Sequence, residues 1–177
     1  MGGELGITTT VGVGSIFRFT LPFATAAEGA APPPSETASP LPLGKTGRAL
    51  QILVAEDNRV NQMLVQSMLR KMGHSVEVAD DGLAALNKVK AGTFDVVVMD
   101  MQMPVMDGEA ATAAIRALPP PKRHIPVLAL TADVMPEHRE RYLAAGVSGL
   151  LAKPIDWLAL SAELEAVGRA SSSEAEP

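Results

Sequence analysis

Cysteine is absent from the 177 residues, and aromatic residues make up only 3% of them. The first absence excludes disulfide scaffolds, cysteine nucleophiles and thiolate zinc sites. The second argues against a stacking platform for single-stranded nucleic acid, and a net charge of -5 argues against a nucleic-acid surface. Neither a long apolar run nor a signal-peptide pattern is present. We therefore expect a cytoplasmic protein with an aliphatic core.

The first 23 residues predict two short strands, Glu4 to Thr10 and Ser15 to Pro22, because both are rich in Thr, Ile, Val and Phe. The glycine-containing segment 11–14 supplies the turn between them. An isolated hairpin is marginally stable in water, so this piece is expected to belong to a larger sheet.

Residues 24–48 have a different composition, dominated by Ala, Pro, Ser, Gly and Thr, with five prolines between Pro32 and Pro42. Such a segment buries little apolar surface. We expect it to be a flexible linker.

Residues 49–168 alternate short apolar runs with amphipathic segments of helix length. The expected strands are 50–55, 76–79, 94–99, 127–130 and 149–152, and the expected helices are 59–71, 82–90, 109–118, 137–145 and 156–167. Five strands that alternate with five helices predict an α/β domain, a doubly wound parallel sheet covered on both faces. In the first helix, the apolar stripe expected to be buried is Val60, Met63, Leu64, Ser67, Met68 and Met72. Residues 169–177 are expected to be a disordered tail.

Polar side chains follow four of the predicted strands. Glu56 and Asp57 follow the first, Asp100 the third, Thr131 the fourth and Lys153 the fifth. Each has an ordinary alternative, such as a helix cap for Asp57, a turn for Asp100 or a surface position for Lys153. Because ligands bind at the carboxyl ends of parallel strands, the joint pattern indicates a functional site.

The chemistry of this cluster suggests phosphoryl transfer. Three neighbouring carboxylates repel one another, and a divalent cation relieves that repulsion. Oxygen ligands without His or Cys favour Mg²⁺. A carboxylate can then act as nucleophile toward a phosphoryl group, while the Lys153 ammonium and the Thr131 hydroxyl stabilise the charge on its oxygens.

Glu56-Asp57, Asp100, Thr131-Ala132 and Lys153-Pro154 resemble the receiver domains of two-component response regulators, and Met101 to Gly108 is similar to the family's loop after the phosphoacceptor. The resemblance covers about residues 50–165. It implies a flavodoxin-like fold with strand order 2-1-3-4-5. It also implies that Asp100 accepts a phosphoryl group from phosphohistidine, that Glu56, Asp57, Asp100 and the Met101 backbone carbonyl hold Mg²⁺, and that Thr131 and Lys153 sense the phosphoryl group.

Residues 1–23 resemble the end of a histidine-kinase ATP-binding domain, through Gly2-Gly3-Glu4-Leu5-Gly6, Gly12 to Phe17 and Leu21-Pro22-Phe23. Together the two resemblances imply the C-terminal part of a hybrid histidine kinase. Since most of the ATP site and the phosphohistidine helix are absent from this sequence, we expect no stand-alone kinase activity. The implied partners are a phosphohistidine domain and a histidine phosphotransfer domain, and whether the parent protein is membrane-anchored stays open.

Two rival functions belong to other classes. A Mg²⁺-dependent aspartyl-phosphate phosphohydrolase usually carries an acid two residues after its nucleophile, where this sequence has Gln102. A receiver-like interaction module that is never phosphorylated would have no need of clustered carboxylates.

Leu150 also departs from the receiver pattern, because many receivers have an aromatic switch residue three positions before the lysine. The first predicted helix is the expected docking face for the phosphodonor, and its exposed side is expected to include Arg59, Gln62 and Gln66.

The three histidines, His74, His124 and His138, are not expected to relay phosphoryl groups, and each is interpreted as a solvated residue.

Overall fold

The computed structural model describes residues 3–10, 14–20, 48–132 and 135–173. They fall into two compact units, one holding the first two strands and the other holding everything from Arg48 onward. Within the described residues, no helix combines the length and apolar content needed to cross a bilayer.

The first unit is an antiparallel pair of strands, β1 (Glu4–Thr10) and β2 (Gly14–Thr20). Ile7 lies opposite Phe17, and both side chains are more than half exposed. The two predicted strands are confirmed. Residues 11–13 of the predicted turn, the end of the second predicted strand (residues 21–22) and nearly all of the predicted linker lie outside the described residues, and Gly14 of the predicted turn is the first residue of β2. Arg48, at the end of that linker, contacts Asp95 in the second unit.

The second unit is a five-stranded parallel sheet with helices on both faces. Its elements are β3 (Gln51–Ala55), α1 (Arg59–Lys71), β4 (Ser75–Ala79), α2 (Gly82–Ala91), β5 (Val96–Asp100), α3 (Gly108–Arg116), a 3-10 turn (Lys122–His124), β6 (Val127–Thr131), α4 (Pro136–Ala144), β7 (Gly149–Ala152) and α5 (Trp157–Ser173). The strand order is β4-β3-β5-β6-β7. Counted within this sheet, it is the expected 2-1-3-4-5 order of a flavodoxin-like fold, which is confirmed.

The side chains of each central strand alternate between two apolar layers, as the pleat requires. On β5, Val97 and Met99 pack with α2, α3 and α4, whereas Val96 and Val98 pack with α1 and α5. Every residue of β5 is buried. The continuous apolar runs of the sequence therefore reflect strands that are covered on both faces.

The predicted buried stripe of α1 is wrong in four of its six positions, one of which is Ser67, an exposed residue. Val60, Met63 and Leu64 are 70%, 65% and 52% exposed. The buried residues within the helix are Gln62, Val65 and Leu69, so the helix is rotated relative to the expected stripe. Gln62 can be buried because its side chain is hydrogen-bonded, and its burial also removes it from the expected docking face.

The chain end also differs from expectation, because α5 continues to Ser173, through half of the segment predicted to be disordered. Arg169 and Ala170 are good helix formers, which helps to extend the helix into this stretch. Arg169 lies 3.7 Å from Glu165, one helical turn earlier, which adds a weak ion pair. Residues 174–177 lie outside the described part of the chain.

Candidate functional site at the carboxyl edge of the sheet

The polar residues predicted at the strand ends meet at one edge of the sheet. Asp100 is the last residue of β5, and it lies beside Leu130 of β6. Thr131 ends β6 opposite Ala152 of β7, and Lys153 follows directly. The Lys153 backbone N–H donates to the Thr131 carbonyl at 2.8 Å, which ties the two strand ends together. Parallel register therefore brings together residues that are far apart in sequence.

Lys153 bridges two buried carboxylates. Its Nζ lies 2.9 Å from Glu56 Oε2 and 2.6 Å from Asp100 Oδ2. Burial alone would lower the pKa of Lys153, but the hydrogen bonds and charges of Asp100 and Glu56 outweigh burial and raise it. Lys153 therefore stays an ammonium at neutral pH. The surface-lysine alternative is wrong, because its side chain is only 23% exposed and is paired with two buried carboxylates.

The two carboxylates respond differently to burial. Burial raises the pKa of Asp100 above its usual value, although the Lys153 ammonium and the Gln102 N–H, 3.0 Å from Oδ1, partly oppose it. Burial also acts to raise the pKa of Glu56. Here hydrogen bonds from Lys153, Asn61 and the Asn58 N–H prevail, so the pKa is lowered. Hydrogen bonds therefore stabilise the Glu56 anion more effectively than the Asp100 anion.

Asp57 completes the acidic cluster from the solvent side. It is exposed, and one carboxylate oxygen from each of Glu56, Asp57 and Asp100 can be chosen so that all lie within 4.8 Å of one another. The helix-cap alternative for Asp57 is wrong, because Asn58 caps α1 by accepting from the Val60 and Asn61 N–H groups. One ammonium faces three carboxylates, so the site has an excess of negative charge that a hard cation would offset.

The loop after Asp100 is packed tightly against the strand end. The Met101 carbonyl, predicted as a metal ligand, accepts a hydrogen bond from the Gly108 N–H at 3.2 Å. A Cβ on Gly108 would lie 2.2 Å from the Asp100 carbonyl oxygen, so only glycine fits where α3 begins. One lone-pair position of the Met101 carbonyl is taken by Gly108, and its second is compatible with the predicted role.

Thr131 and Leu150 lie where the sequence pattern expects the switch residues. Thr131 is 1% exposed at the end of β6. Leu150, on β7, packs against the core layer that also contains Tyr142 of α4. The structure therefore has an aliphatic side chain at the position where many receivers have an aromatic one, and an aromatic ring nearby on α4.

Sequence reasoning missed the residues that hold Glu56. Asn61 Nδ2 donates to Glu56 Oε1 at 3.0 Å, and Gln62 Nε2 donates to the Glu56 carbonyl at 2.6 Å and to Asp80 Oδ1 at 2.7 Å. The sequence signal that could have identified Asn61 and Gln62 is the pair of amide side chains on the helical turn that follows Glu56-Asp57. His74 was also misjudged, because it is 5% exposed rather than solvated.

Comparison with known proteins shows which protein family has these features. Residues 52–165 match the sequence profile of the response regulator receiver domain. The sensor histidine kinase AruS of Pseudomonas aeruginosa is 36% identical over 169 residues, which is 95% of this chain and 16% of AruS. The chain thus spans about a sixth of this relative, and the alignment includes most of the hairpin segment.

Two solved structures resemble the second unit. A sensor histidine kinase receiver domain from Pseudomonas aeruginosa, solved with a magnesium ion coordinated in its active site cleft, is 38% identical with a TM-score of 0.59, covering 68% of this chain and 94% of that one. The receiver domain of Saccharomyces cerevisiae Ssk1, in complex with the histidine phosphotransfer protein Ypd1, gives 31% identity and a TM-score of 0.58, covering 64% and 84%.

Proposed function

The chain belongs to the response regulator receiver family, and on that basis we propose that Asp100 accepts a phosphoryl group from phosphohistidine within a two-component phosphorelay. One observation supports this role for Asp100 above all others. A buried carboxylate at the carboxyl edge of the sheet is paired at 2.6 Å with an ammonium that a second buried carboxylate also holds. This arrangement combines a nucleophile with a group that stabilises phosphoryl charge.

The proposed reaction makes a carboxylate oxygen of Asp100 the nucleophile. The oxygen forms the new P–O bond as the P–N bond of phosphohistidine breaks, and the electron pair of that bond returns to the imidazole nitrogen. Only an ionised Asp100 can attack. Because burial raises its pKa, the Lys153 ammonium has a second task in favouring the ionised form.

The donor set of the site fits Mg²⁺. Three carboxylates with ligand atoms within 4.8 Å of one another offer only oxygen, which is the ligand that Mg²⁺ prefers. Glu56, Asp57 and Asp100 would hold the ion, together with the Met101 backbone carbonyl. When bound, Mg²⁺ neutralises part of the charge on the phosphoryl oxygens. The related receiver domain solved with magnesium in its cleft supports the assignment.

Lys153 and Thr131 would bind the phosphoryl group after transfer. The ammonium is already at the edge where the phosphoryl oxygens arrive, and the Thr131 hydroxyl stands on the neighbouring strand end. Movement of Thr131 toward the phosphoryl group would displace the segment that leads to α4. Leu150 is smaller than an aromatic residue, so we propose a weaker coupled movement at its position.

Intact mass spectrometry after incubation with Mg²⁺ and a small-molecule phosphodonor tests the proposal. We expect one added phosphoryl group in the unsubstituted chain and none in Asp100→Asn. Asp107→Asn is the matched control, because Asp107 also lies at this edge but caps α3, and asparagine caps equally well. Loss of the adduct in Asp107→Asn, or its persistence in Asp100→Asn, would contradict the assignment. No adduct and no Mg²⁺ effect would favour the interaction module.

The partners are proposed to be a phosphohistidine domain as donor and a histidine phosphotransfer domain as recipient. The exposed apolar residues Val60, Met63 and Leu64 form a patch on α1, next to Glu56 and Asn61. We propose this α1 patch as the docking surface for both, in place of the polar face expected from sequence. The receiver–phosphotransfer complex of Ssk1 and Ypd1 supports a partner of this kind.

The hairpin is proposed to be the end of a histidine-kinase ATP-binding domain, and the parent to be a hybrid histidine kinase. Ile7 and Phe17 lie opposite each other, and Phe19 follows on the same side of β2. Such an exposed apolar face suits a strand pair that packs within a larger sheet. The alignment with AruS, which takes in most of this segment, supports the same origin.

A further inference from the structure

Asn61 lies on the first turn of α1 and contacts the acidic site only through its side chain. Its Nδ2 donates to Glu56 Oε1 at 3.0 Å, and the residue is partly buried. We propose that Asn61 is a positioning residue, which fixes the Glu56 carboxylate in the orientation that binds Mg²⁺. This inference rests on the proposed function, since it concerns the ion that the same site would hold.

The two oxygens of Glu56 have different partners. Oε1 accepts from Asn61 Nδ2 and from the Asn58 N–H at 3.3 Å, whereas Oε2 accepts from Lys153 Nζ at 2.9 Å. Because both oxygens accept hydrogen bonds, the carboxylate cannot rotate without losing one of them. Of the donors on the Oε1 side, Asn61 gives the shorter bond, so its amide is the main restraint on that side.

The main chain of Glu56 is held by the next residue along the helix. Gln62 Nε2 donates to the Glu56 carbonyl at 2.6 Å and to Asp80 Oδ1 at 2.7 Å, which links α1 to the ends of β3 and β4. Backbone and carboxylate of Glu56 are therefore anchored separately. With the backbone secured by Gln62, removing the Asn61 amide releases the carboxylate alone.

Asn61→Ala separates the effect on the site from the effect on the fold. Alanine is a better helix former than asparagine, so the helix itself is not weakened by the change. Loss of a hydrogen-bonding partner of a metal ligand typically lowers metal affinity about 10-fold to 100-fold. We expect the Mg²⁺ dissociation constant to rise about tenfold, while the melting temperature falls only modestly, because the higher helix propensity of alanine offsets part of the lost hydrogen bond to Glu56.

Trp157 makes the Mg²⁺ titration simple. It is the single tryptophan of the chain, and it lines a cavity of about 240 Å³ together with Glu56, Asn61 and Lys153. Its fluorescence is titrated with Mg²⁺ in the unsubstituted chain, in Asn61→Ala and in Asn87→Ala, and isothermal calorimetry checks each constant. Asn87 is an exposed asparagine on α2, so its replacement repeats the chemical change away from the site.

A double-mutant cycle shows whether Asn61 acts through Glu56. In a Glu56→Ala background, or Glu56→Gln if alanine prevents folding, Asn61→Ala should change the dissociation constant less than twofold. A tenfold loss that persists in that background would overturn the inference, as would an Asn61→Ala constant equal to that of the unsubstituted chain. If the unsubstituted chain forms the Asp100 adduct and only these results fail, the proposed function stands. If it binds no Mg²⁺ and forms no adduct, both are overturned.

Discussion

The charge balance of the acidic site rests on single residues. Lys153 is the one ammonium that the described residues place against Glu56 and Asp100, and Asp57 adds a third carboxylate from the solvent side. The Asp100 anion is the less stabilised of the two buried carboxylates, because burial raises its pKa more than its hydrogen bonds lower it. The site therefore has fewer positive than negative charges before any phosphoryl group arrives, and a bound cation would favour the ionised carboxylates.

His74 predicts a pH dependence of stability that is unrelated to the site. Its Nδ1 accepts a hydrogen bond from the Leu50 N–H at 3.2 Å, and burial lowers its pKa below 6.5. The folded state thus binds a proton less readily than the unfolded state. This contribution to stability is fully present above about pH 6.5, and it is lost as pH falls through the lowered pKa.

We expect His74→Gln to lose less stability than the unsubstituted chain between about pH 7 and about pH 5. Glutamine can still accept from Leu50 but does not titrate. Denaturant unfolding at several pH values measures the difference, with His124→Gln as control because His124 is exposed. Parallel pH profiles for His74→Gln and the unsubstituted chain would refute the assignment.

At the scale of elements, the orientation of α1 decides which side chains are exposed beside the acidic cluster. Asn58 caps the helix, and Gln62, Val65 and Leu69 face the sheet. The opposite side presents the α1 patch of Val60, Met63 and Leu64 beside the acidic cluster. Exposing apolar side chains to water does not stabilise the isolated domain. The exposed apolar patch on α1 therefore fits a binding surface.

Leu64→Gln should slow phosphoryl transfer from a phosphorylated histidine phosphotransfer protein about tenfold, equivalent to about 1.4 kcal/mol of lost contact. The rate with a small-molecule donor should not change, because Leu64 is 52% exposed and lies outside the charged cluster. Leu83→Gln serves as control, since Leu83 is a 41% exposed leucine on α2. Equal slowing with both donors would show that the α1 patch is not a docking surface.

At the scale of the whole molecule, the site exists only when the sheet is complete. Glu56 follows β3, Asp100 ends β5 and Lys153 follows β7, so unfolding separates groups that come from both halves of the domain. A ligand that binds the assembled site must therefore stabilise the entire fold. This linkage makes global stability a reporter of the site.

Mg²⁺ should raise the free energy of unfolding by about 2.7 kcal/mol at about 100 times its dissociation constant. The Asp57→Asn variant should lose most of this gain. Because Asp57 is exposed, the stability of the variant without Mg²⁺ should differ little from that of the unsubstituted chain. Urea unfolding with and without Mg²⁺ measures both quantities, and Asp107→Asn should keep the full gain. A gain that is equal in Asp57→Asn would mean that Mg²⁺ binds elsewhere.

Local patterns were enough to predict most of the architecture. Continuous apolar runs such as Val96 to Met99 predict strands covered on both faces, and their alternation with helices predicts a doubly wound parallel sheet. The strand order that the structure confirms was implied by the resemblance to receiver domains. Because parallel strands end at one edge, the same pattern placed Glu56, Asp100 and Lys153 together. These inferences need only strand ends and chain direction, which are written in the order of residues.

Side-chain environments were harder to predict, because they depend on how each helix is rotated against the sheet. The apolar residues of α1 lie on more than one side of the helix, so composition could not show that Gln62 would be buried and Leu64 exposed. Nor could it show that Asn61 and Lys153 would divide the two oxygens of Glu56. Residue order thus establishes which groups reach the edge, whereas packing across the sheet decides which partner each group meets there, because hydrogen bonds depend on distances that arise only after the layers close.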